Sequence, residues 1–269
     1  GFVLLALYCN GHAPPAIMSI KLARTKLDDS RQSLAEFGYV ILKGALDTEA
    51  ALEPIAEEID RFGRLFHGDF RFGPTPEAIG LLTNDARSTF YNSLRYLCSL
   101  YAFATCPGLV GLSRSLGLGF PGVMKSTNIR MDMPAEDQHL FHWHQDTTYL
   151  LGSHNALTYW IPFSSTNNEA GSIELIPGSH RQGVLPFRYN GDGEPPAFRA
   201  LSPKDIQLES EPGVDAAITV EAERGDIVVL SQKLLHRSVP NRSTAVRWTL
   251  QVRHTDFSEA DYRAHGCPM

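Results

Sequence analysis

The first 120 residues carry apolar positions at helical spacing. Between Asp47 and Phe66, apolar residues recur three and four positions apart, which predicts one buried face of a helix. Pro54 falls in the first turn of that helix, where proline is tolerated. The members of the face are Leu52, Ile55, Ile59, Phe62 and Leu65, and a second run with this spacing holds Phe90, Leu94, Leu97 and Leu100. The pattern predicts a helical layer over about residues 28–120.

Two shorter signals begin that layer. The stretch DDSRQSLAEFG predicts a short capped helix that ends at Gly38, and YVILKG, which follows it, predicts a strand.

The pattern of apolar and polar residues changes from about Ser126 onward. Short apolar runs are separated there by Gly, Pro and Asn, which is typical of strands in a β-sandwich or jelly roll. The runs are STNIRMDM, HWHQDTTYLL, ALTYWIPF, GSIELIPGS, AITVEA, GDIVVLSQ and VRWTLQVRH. The predicted fold is mainly β with flanking α, a cupin-like double-stranded β-helix (jelly roll) over about residues 125–255 with the helical layer before it.

One long interruption divides these strands. The roughly thirty residues from Phe187 to Asp215 lack strong periodicity and include Arg188, Tyr189, Phe198 and Arg199. Loops of this length in compact domains are often lids or binding loops, so this loop is predicted to cover a substrate.

The chain reads as one domain over residues 18–269, with residues 1–17 as a non-native or disordered extension. Met18 is a plausible start. The eight apolar residues from Phe2 to Cys9 are too few to span a bilayer and lack the basic flank of a signal peptide, so no membrane association is expected.

Charge and cysteine content narrow the function. The net charge is -6 and no run of Lys or Arg occurs, so nucleic acid is not an expected partner. Four cysteines lie far apart without a CxxC pair, which favours a reducing compartment and a cytoplasmic location. Oligomeric state leaves no signal in the sequence.

The stretch FHWHQDTTY offers His142, His144 and Asp146 as possible metal ligands. In an extended strand, residues two apart share a face and lie about 6.6 Å apart, whereas His142 and Asp146 would be about 13 Å apart. All three therefore cannot bind one ion. Pairing His142 with His144, as in a cupin, would require a glutamate four or five residues later, where Thr148 and Tyr149 stand. The remaining pair is His144 with Asp146, provided that the strand ends or bends nearby.

A site of two histidines and one carboxylate needs another histidine from a distant strand, because this set covers one face of an octahedron. His236, just after the run GDIVVL, supplies it. Arg247 stands eleven residues further on in the otherwise apolar run AVRWTLQV, where a buried arginine needs a facing carboxylate. Each of these signals is weak alone.

Taken together, WHQDTTY, GSIELIPGSHRQG and HRSVPNRSTAVR resemble, in order and spacing, the phytanoyl-CoA dioxygenase family of Fe(II)- and 2-oxoglutarate-dependent oxygenases. The similarity covers about residues 28–255, including the opening FGYVILKGAL, although the second half carries the distinctive motifs.

This resemblance implies a site residue by residue. It implies that His144, Asp146 and His236 bind iron and that Arg247 clamps the distal carboxylate of 2-oxoglutarate. It further implies that Thr158 and Trp160 line the co-substrate pocket and that Asn241 lies near it. Arg130 is a candidate for the other end of the co-substrate, with a surface strand arginine as the competing interpretation. Gln145 and His180 match positions that support the metal ligands, whereas His139, His142, His154 and His254 are interpreted as surface or structural residues.

The implied chemistry is hydroxylation of an unactivated C–H bond of a small molecule with Fe(II), 2-oxoglutarate and O2, releasing succinate and CO2. Related halogenases carry a small residue where Asp146 stands, so a hydroxylase, or an oxygenase that desaturates or cyclises, is expected rather than a halogenase. Iron, one aspartate, 2-oxoglutarate and Arg247 would together be neutral.

Two other functions remain open at this point. A metal-free jelly-roll epimerase could use a His and an Asp as acid and base. A non-catalytic jelly roll that binds a small molecule or a glycan would keep the scaffold but should show a broken triad.

Overall fold

A computed structural model describes residue 20 and residues 24–137, 140–191 and 204–268. The expected extension at residues 1–17 lies outside them. The helices are α1 (Arg24–Phe37), α2 (Thr48–Ala51), α3 (Glu53–Arg64), α4 (Pro76–Gly80), α5 (Asn84–Ser93), α6 (Cys98–Ala104), α7 (Pro107–Ser115) and α8 (Ala260–Ala264). The strands are β1 (Tyr39–Leu42), β2 (Pro121–Val123), β3 (Asn128–Asp132), β4 (Leu157–Pro162), β5 (Ile173–Leu175), β6 (Phe187–Tyr189), β7 (Ile206–Leu208), β8 (Ile218–Thr219), β9 (Ile227–Ser231), β10 (His236–Ser238) and β11 (Arg247–Asp256).

Two antiparallel sheets face each other. The large sheet has the order β1, β9, β4, β11, and both β2 and β3 pair with the far edge of β11. The small sheet has the order β10, β5, β8, and a bridge between His144 and His236 extends it at β10. Antiparallel sheets with these long connections form the jelly-roll core that the sequence predicted.

The large sheet separates two environments because successive side chains of a strand point to opposite faces. On β11, Trp248, Leu250 and Val252 belong to the main core, which α2–α7 cover. The alternate residues Arg247 and Arg253 line the cavity on the other face of the sheet. The helical layer therefore stabilises the sheet from outside, while the inner face is free to carry polar chemistry.

Most of the predicted helical face is confirmed. Leu52, Ile55 and Ile59 are buried, and Pro54 lies in the first turn of α3. Leu65 is the exception, since it is 81% exposed. The reason is that α3 ends at Arg64, so Leu65 lies past the part of the chain in which helical periodicity applies.

The second helical run and the first short helix are also confirmed. Phe90, Leu94, Leu97 and Leu100 are all buried, and a 3-10 turn joins α5 to α6. α1 ends one residue before Gly38, whose φ of +80° suits a residue without a side chain, and β1 follows.

Two expectations about the second half are wrong. The run HWHQDTTYLL is not a strand, because His144 makes only an isolated bridge and a 3-10 turn follows at Asp146–Thr148. The segment predicted as one long loop contains the hairpin of β6 and β7, in which Arg188 pairs with Glu209. Phe198 and Arg199 lie outside the described residues.

No single helix in the described ranges is long and apolar enough to cross a membrane. The bent pair formed by residues 84–104 and 107–115 passes that test by length and composition alone. Cys98, Cys106 and Cys267 are free thiols. The cytoplasmic location stays a prediction.

Candidate active site

Two chain segments bring His144, Asp146 and His236 together between the two sheets: the segment that carries His144 and Asp146, and β10, which begins at His236. His144 and His236 stand opposite each other in an antiparallel bridge, where each backbone N–H donates to the other's carbonyl at 3.0 Å. Directly opposed residues of an antiparallel pair project from the same face. Asp146 then opens the 3-10 turn, which swings its carboxylate toward both rings. The bend that the sequence reasoning required at this point is therefore present.

The ligand atoms of the triad converge on one point. Asp146 Oδ1 lies 3.7 Å from His144 Nε2 and 3.8 Å from His236 Nε2, and the three atoms lie within 4.8 Å of one another. On one face of an octahedron with bonds of about 2.1 Å, ligand atoms are about 3 Å apart. The two separations from Asp146 would need to shorten by less than about 1 Å, and that between the two histidines by up to about 1.8 Å, to place these three atoms around a single ion.

Hydrogen bonds decide which nitrogen of each histidine faces that point. His144 Nδ1 lies 2.6 Å from the carbonyl of His142, and His236 Nδ1 lies 2.9 Å from the carbonyl of Leu234. A carbonyl only accepts, so each Nδ1 carries the proton and each Nε2 presents a lone pair. Burial, together with the neighbouring His236, lowers the pKa of His144 to about 3. His144 is therefore neutral near pH 7, as a metal ligand must be.

Asp146 is buried and surrounded by donors. Thr158 Oγ1 donates to its Oδ2 at 2.7 Å, Tyr149 Oη donates to its Oδ1, and Arg253 Nε lies 3.4 Å from its Oδ2. Burial opposes ionisation, but the Arg253 guanidinium and the hydrogen bond from Tyr149 outweigh it and hold the pKa of Asp146 well below its usual range. The carboxylate is therefore ionised and oriented in advance.

A second charged group lies across the same face of the large sheet. Arg247 stands opposite Asp132 in the register of β11 and β3, and its Nη2 lies 2.9 Å from Asp132 Oδ2. Arg130 Nη2 donates to the other oxygen of Asp132 at 2.6 Å. The carboxylate expected to face Arg247 thus exists within the protein itself, as Asp132. Arg130 is 4% exposed and stacks 4.6 Å from the ring centre of Phe141, which excludes the competing interpretation of a surface arginine.

Two buried polar atoms on the inner face of β11 have no hydrogen-bond partner among the described residues, namely Arg247 Nε and Thr249 Oγ1. These residues are two apart on one strand, so they share a face. Buried polar groups in native proteins are normally satisfied, and an unsatisfied pair here indicates a place for a polar ligand. Arg247 also approaches Gly171 so closely that a Cβ there would lie 2.9 Å from Nη1.

The other predicted co-substrate residues have definite places. Trp160 is 2% exposed and lines the cavity beside Thr158 and Arg247. The Thr158 hydroxyl donates to Asp146, so it orients a member of the triad and is not positioned at the part of the cavity beside Arg247. Asn241 Nδ2 donates to the carbonyls of Asp132 and Ala245, while its Oδ1 accepts from Ser243. The amide of Asn241 is thereby occupied in shaping the turn before β11, and its contact with a co-substrate stays a prediction.

Of the two residues expected to support the ligands, Gln145 does so through the backbone. Its amide donates to the carbonyls of Gly183 and Lys233 and accepts from the N–H of Leu185. The expectation for His180 is wrong, since its ring packs on Gly38 and its Nε2 lies 3.1 Å from the carbonyl of Ala35.

The remaining histidines agree with their interpretation where they are described. His142 and His154 are exposed, and His254 is buried against Ser113 and the carbonyl of Ala104. His139 lies outside the described residues.

Sequence reasoning did not identify two charged residues of the site, Arg253, which lines the cavity, and Asp132, which binds Arg247. A signal for both was available in the period of two. In RWTLQVR, polar residues alternate with apolar ones, and in NIRMD the two charges are likewise two apart. An interpretation of RWTLQVR as apolar with one isolated cation overlooks this alternation, which indicates a half-polar strand.

The space enclosed between these side chains is about 20 Å³. That is room for about one water molecule. A five-carbon ligand therefore needs some of the lining side chains to shift.

Comparison with known proteins identifies the relatives of this chain. A hydroxylase from Streptomyces exfoliatus, 1-deoxypentalenic acid 11-beta-hydroxylase, is 26% identical over 232 residues, which are 81% of this chain and 78% of that protein. The crystal structure of the epimerase SnoN with Fe3+, alpha ketoglutarate and nogalamycin RO has a TM-score of 0.60 at 21% identity, covering 87% of this chain and 85% of SnoN. EvdO2 from Micromonospora carbonacea var. aurantiaca, complexed with 2-oxoglutarate, has a TM-score of 0.55 at 17% identity, covering 88% and 92%.

The likeness to these structures confirms the fold. The family model for phytanoyl-CoA dioxygenase (PhyH) matches residues 34–249, most of the span over which the sequence motifs were similar. The chain belongs to the phytanoyl-CoA dioxygenase family.

Proposed function

We propose that this protein is an Fe(II)- and 2-oxoglutarate-dependent dioxygenase that hydroxylates an unactivated C–H bond of a small molecule. In this proposal His144, Asp146 and His236 hold the iron, and Arg247 receives the distal carboxylate of 2-oxoglutarate. The observation that carries it is the convergence of three buried ligand atoms whose protonation already suits a metal ion. The hydroxylase among its relatives supports insertion of oxygen as the outcome.

When bound, iron with 2-oxoglutarate and O2 supplies the oxidation, in which 2-oxoglutarate leaves as succinate and CO2 and one oxygen atom enters the substrate. The protein's own part is orientation. The carbonyls of His142 and Leu234 hold the two imidazoles, and Thr158 and Tyr149 hold Asp146. Such supporting hydrogen bonds keep ligands in place and raise their affinity for the metal.

Arg247 is prepared for a carboxylate but is engaged by Asp132. Its Nε remains available, and the neighbouring Thr249 hydroxyl lacks a partner among the described residues. A guanidinium can bind two carboxylates through different edges, so the co-substrate can join Asp132 instead of displacing it. Because the enclosed space is small, Arg247 or Trp160 has to move as 2-oxoglutarate enters.

Metal-free acid and base catalysis by His144, Asp146 or Tyr149 is poorly supported. A general base should have a pKa near the working pH. The pKa of His144 is about 3 and that of Asp146 lies well below its usual range, while burial and Asp146 raise the pKa of Tyr149. None of the three exchanges protons readily near pH 7. A non-catalytic binding protein would not need the intact triad.

The test is anaerobic titration of the metal-free protein with Fe(II) and then 2-oxoglutarate, followed by aerobic incubation with a substrate library. A metal-to-ligand absorption band should appear on addition of 2-oxoglutarate, and one succinate should form for each hydroxylated product. Absence of the band at millimolar 2-oxoglutarate would rule the proposal out. Hydroxylated product formed without succinate would show that 2-oxoglutarate is not the co-substrate.

A further inference from the structure

The wall of the metal centre holds more positive than negative charge. Its buried charged side chains, among the described residues, are three arginines and two aspartates, each between 1% and 6% exposed: Arg130, Asp132, Asp146, Arg247 and Arg253. With both imidazoles neutral, as metal ligands must be, the group carries one net positive charge. A buried charge without a counter-charge is costly, so this surplus needs an anion.

Loading the centre leaves the surplus in place. The argument rests on the proposed function, in which Fe(II) adds two positive charges and 2-oxoglutarate adds two negative ones. Arg130 and Arg247 then face two carboxylates, that of Asp132 and the distal one of the co-substrate. The remaining charge therefore lies beside the metal, where Arg253 contacts Asp146. The charge count made from the sequence, which gave a neutral site, did not include Arg253.

Arg253 is held at that place by the protein. Its Nη1 donates to the carbonyl of Ser126 at 2.7 Å and its Nη2 donates to Gln251 Oε1 at 3.0 Å. The side chain is 5% exposed and lines the cavity at the triad. The guanidinium is thus fixed, so a compensating anion has to come to it.

A much larger cavity, here called the vestibule, adjoins the metal centre. It measures about 1110 Å³, and its described walls include Trp143, Ile206, Leu208 and Val239. Phe141 lines both the vestibule and the metal centre, and its ring packs edge-on against His144. The volume exceeds what 2-oxoglutarate would fill and matches the upper range of small-molecule sites.

Charges of opposite sign cancel along the described wall of the vestibule. Glu174 pairs with Arg237, and Asp137 pairs with Arg242. Lys204 and Glu211 bring one further charge of each sign. Among the described residues, the vestibule wall therefore neither attracts nor repels anions strongly, whereas the surplus lies at Arg253 in the adjoining metal centre.

We propose that the primary substrate is a bulky organic monocarboxylate, whose apolar body lies in the vestibule and whose carboxylate offsets the charge of Arg253. One negative charge matches the surplus. A phosphate monoester carries close to two at pH 7 and would overcompensate it.

The test measures binding without turnover, using Zn(II), which has no redox chemistry, in place of Fe(II). Protein loaded with Zn(II) and 2-oxoglutarate is titrated calorimetrically with 1-deoxypentalenic acid, cholic acid and hexadecanoic acid, and with the methyl ester of each. At least one acid should bind, and its ester should bind about 10- to 100-fold more weakly, since a charge-assisted contact is lost. Arg253→Gln should remove this preference, and Arg253→Lys should keep most of it.

Arg242→Gln is the matched control, because it removes a cation that pairs with Asp137 of the vestibule wall and should leave the ratio of acid to ester affinity unchanged. Thermal melting and Zn(II) affinity of each variant separate a folding or metal defect from a loss of anion recognition. The inference is wrong if no acid binds, if esters bind as tightly as acids, or if the preference survives in Arg253→Gln. Failure to bind Zn(II) and 2-oxoglutarate at all would overturn the proposed function, and this inference with it.

Discussion

Asp146 shows how much of the site depends on single side chains. It faces both imidazoles and accepts hydrogen bonds from Thr158 and Tyr149, while Arg253 lies against its second oxygen. A carboxylate with this many donors is ionised and has a fixed orientation before any metal arrives. Preorganisation of this kind lowers the cost of binding an ion.

Asp146→Ala removes the single carboxylate of the triad. Fe(II) affinity should fall by more than about 100-fold, since loss of mere supporting partners already costs 10- to 100-fold. Succinate formation should become undetectable. Anaerobic Fe(II) titration measures the affinity, and Asp261→Ala, an exposed carboxylate, serves as the control. Unchanged Fe(II) affinity would show that Asp146 is not a ligand.

Arg247 allows a test of co-substrate recognition. Arg247→Ala should weaken 2-oxoglutarate binding by about 2–5 kcal/mol, because the distal carboxylate loses its charged partner. Arg247→Lys should weaken it less, since the charge stays but two parallel hydrogen bonds cannot form. The metal-to-ligand band of the anaerobic Fe(II) complex reports the affinity. Fe(II) affinity should hardly change in either variant, and equal 2-oxoglutarate affinities in all three proteins would exclude the assigned role.

The segment that carries His144 and Asp146 is held in its conformation by hydrogen bonds to neighbouring loops. Gln145, between the two ligands, binds the backbone at Gly183, Leu185 and Lys233. The turn at Asp146–Thr148 is also held by the N–H of Thr147, which donates to the carbonyl of Gln232. A bridge and a 3-10 turn, in place of a regular strand, therefore present His144 and Asp146 to one point.

Gln145→Leu tests this support. Three backbone groups, one buried and two half-buried, would lose their partner, so the free energy of unfolding should fall by about 1–3 kcal/mol and Fe(II) affinity by about 10- to 100-fold. Gln232→Leu is a matched control, because that buried side chain bonds only to the sulfur of Met124 among described contacts. Urea denaturation and Fe(II) titration are the measurements. If the two variants lose the same free energy of unfolding and the same Fe(II) affinity, Gln145 has no special role in holding the segment that carries His144 and Asp146.

The large sheet divides the residues that pack in the main core from those that line the candidate active site. Its outer face packs on the helical layer through Leu250, Val252 and Tyr159, and its inner face carries Arg247, Arg253 and Thr158. The far end of β11 is tied to the rest of the fold by Asp256, which accepts from the N–H groups of Gly119, Phe120 and Ser258.

Asp256 makes the stability of the fold depend on pH. Burial opposes its ionisation, but hydrogen bonds from Ser258, Phe120 and Gly119 outweigh this effect and hold its pKa at about 2. Since this value lies below that of the unfolded chain, the contribution of Asp256 is complete above about pH 4 and is lost as the pH falls toward 2. Asp256→Asn should therefore be less stable than wild type by about 1–3 kcal/mol at pH 7.

The difference in stability between wild type and Asp256→Asn should shrink below about pH 4, as measured by urea denaturation from pH 7 to pH 2.5. Ser258→Ala should reproduce part of the loss at pH 7, because its hydroxyl donates to the same carboxylate. A difference that stays constant over this pH range would contradict the assignment.

The sequence alone was enough to predict most of the elements, the family and the three candidate metal ligands. Periodicities of 3.6 and 2 depend only on local geometry, so the buried faces of α3, α5 and α6 and the positions of β3, β4, β9 and β11 could be predicted. The spacing of His144, Asp146, His236 and Arg247 was likewise visible along the chain. The error at Leu65 was a boundary error, because the pattern does not show where a helix ends.

Which charges lie side by side could be read from the folded chain but not from the sequence. The partner of Arg247 proved to be Asp132, and Arg253 proved to lie at Asp146, because strand register places residues far apart in sequence side by side. The same holds for Gln145, which reaches its partners across 38, 40 and 88 positions. A pattern along one strand states which face a side chain occupies, whereas the charge that it meets there depends on the neighbouring strand and on the fold that pairs them.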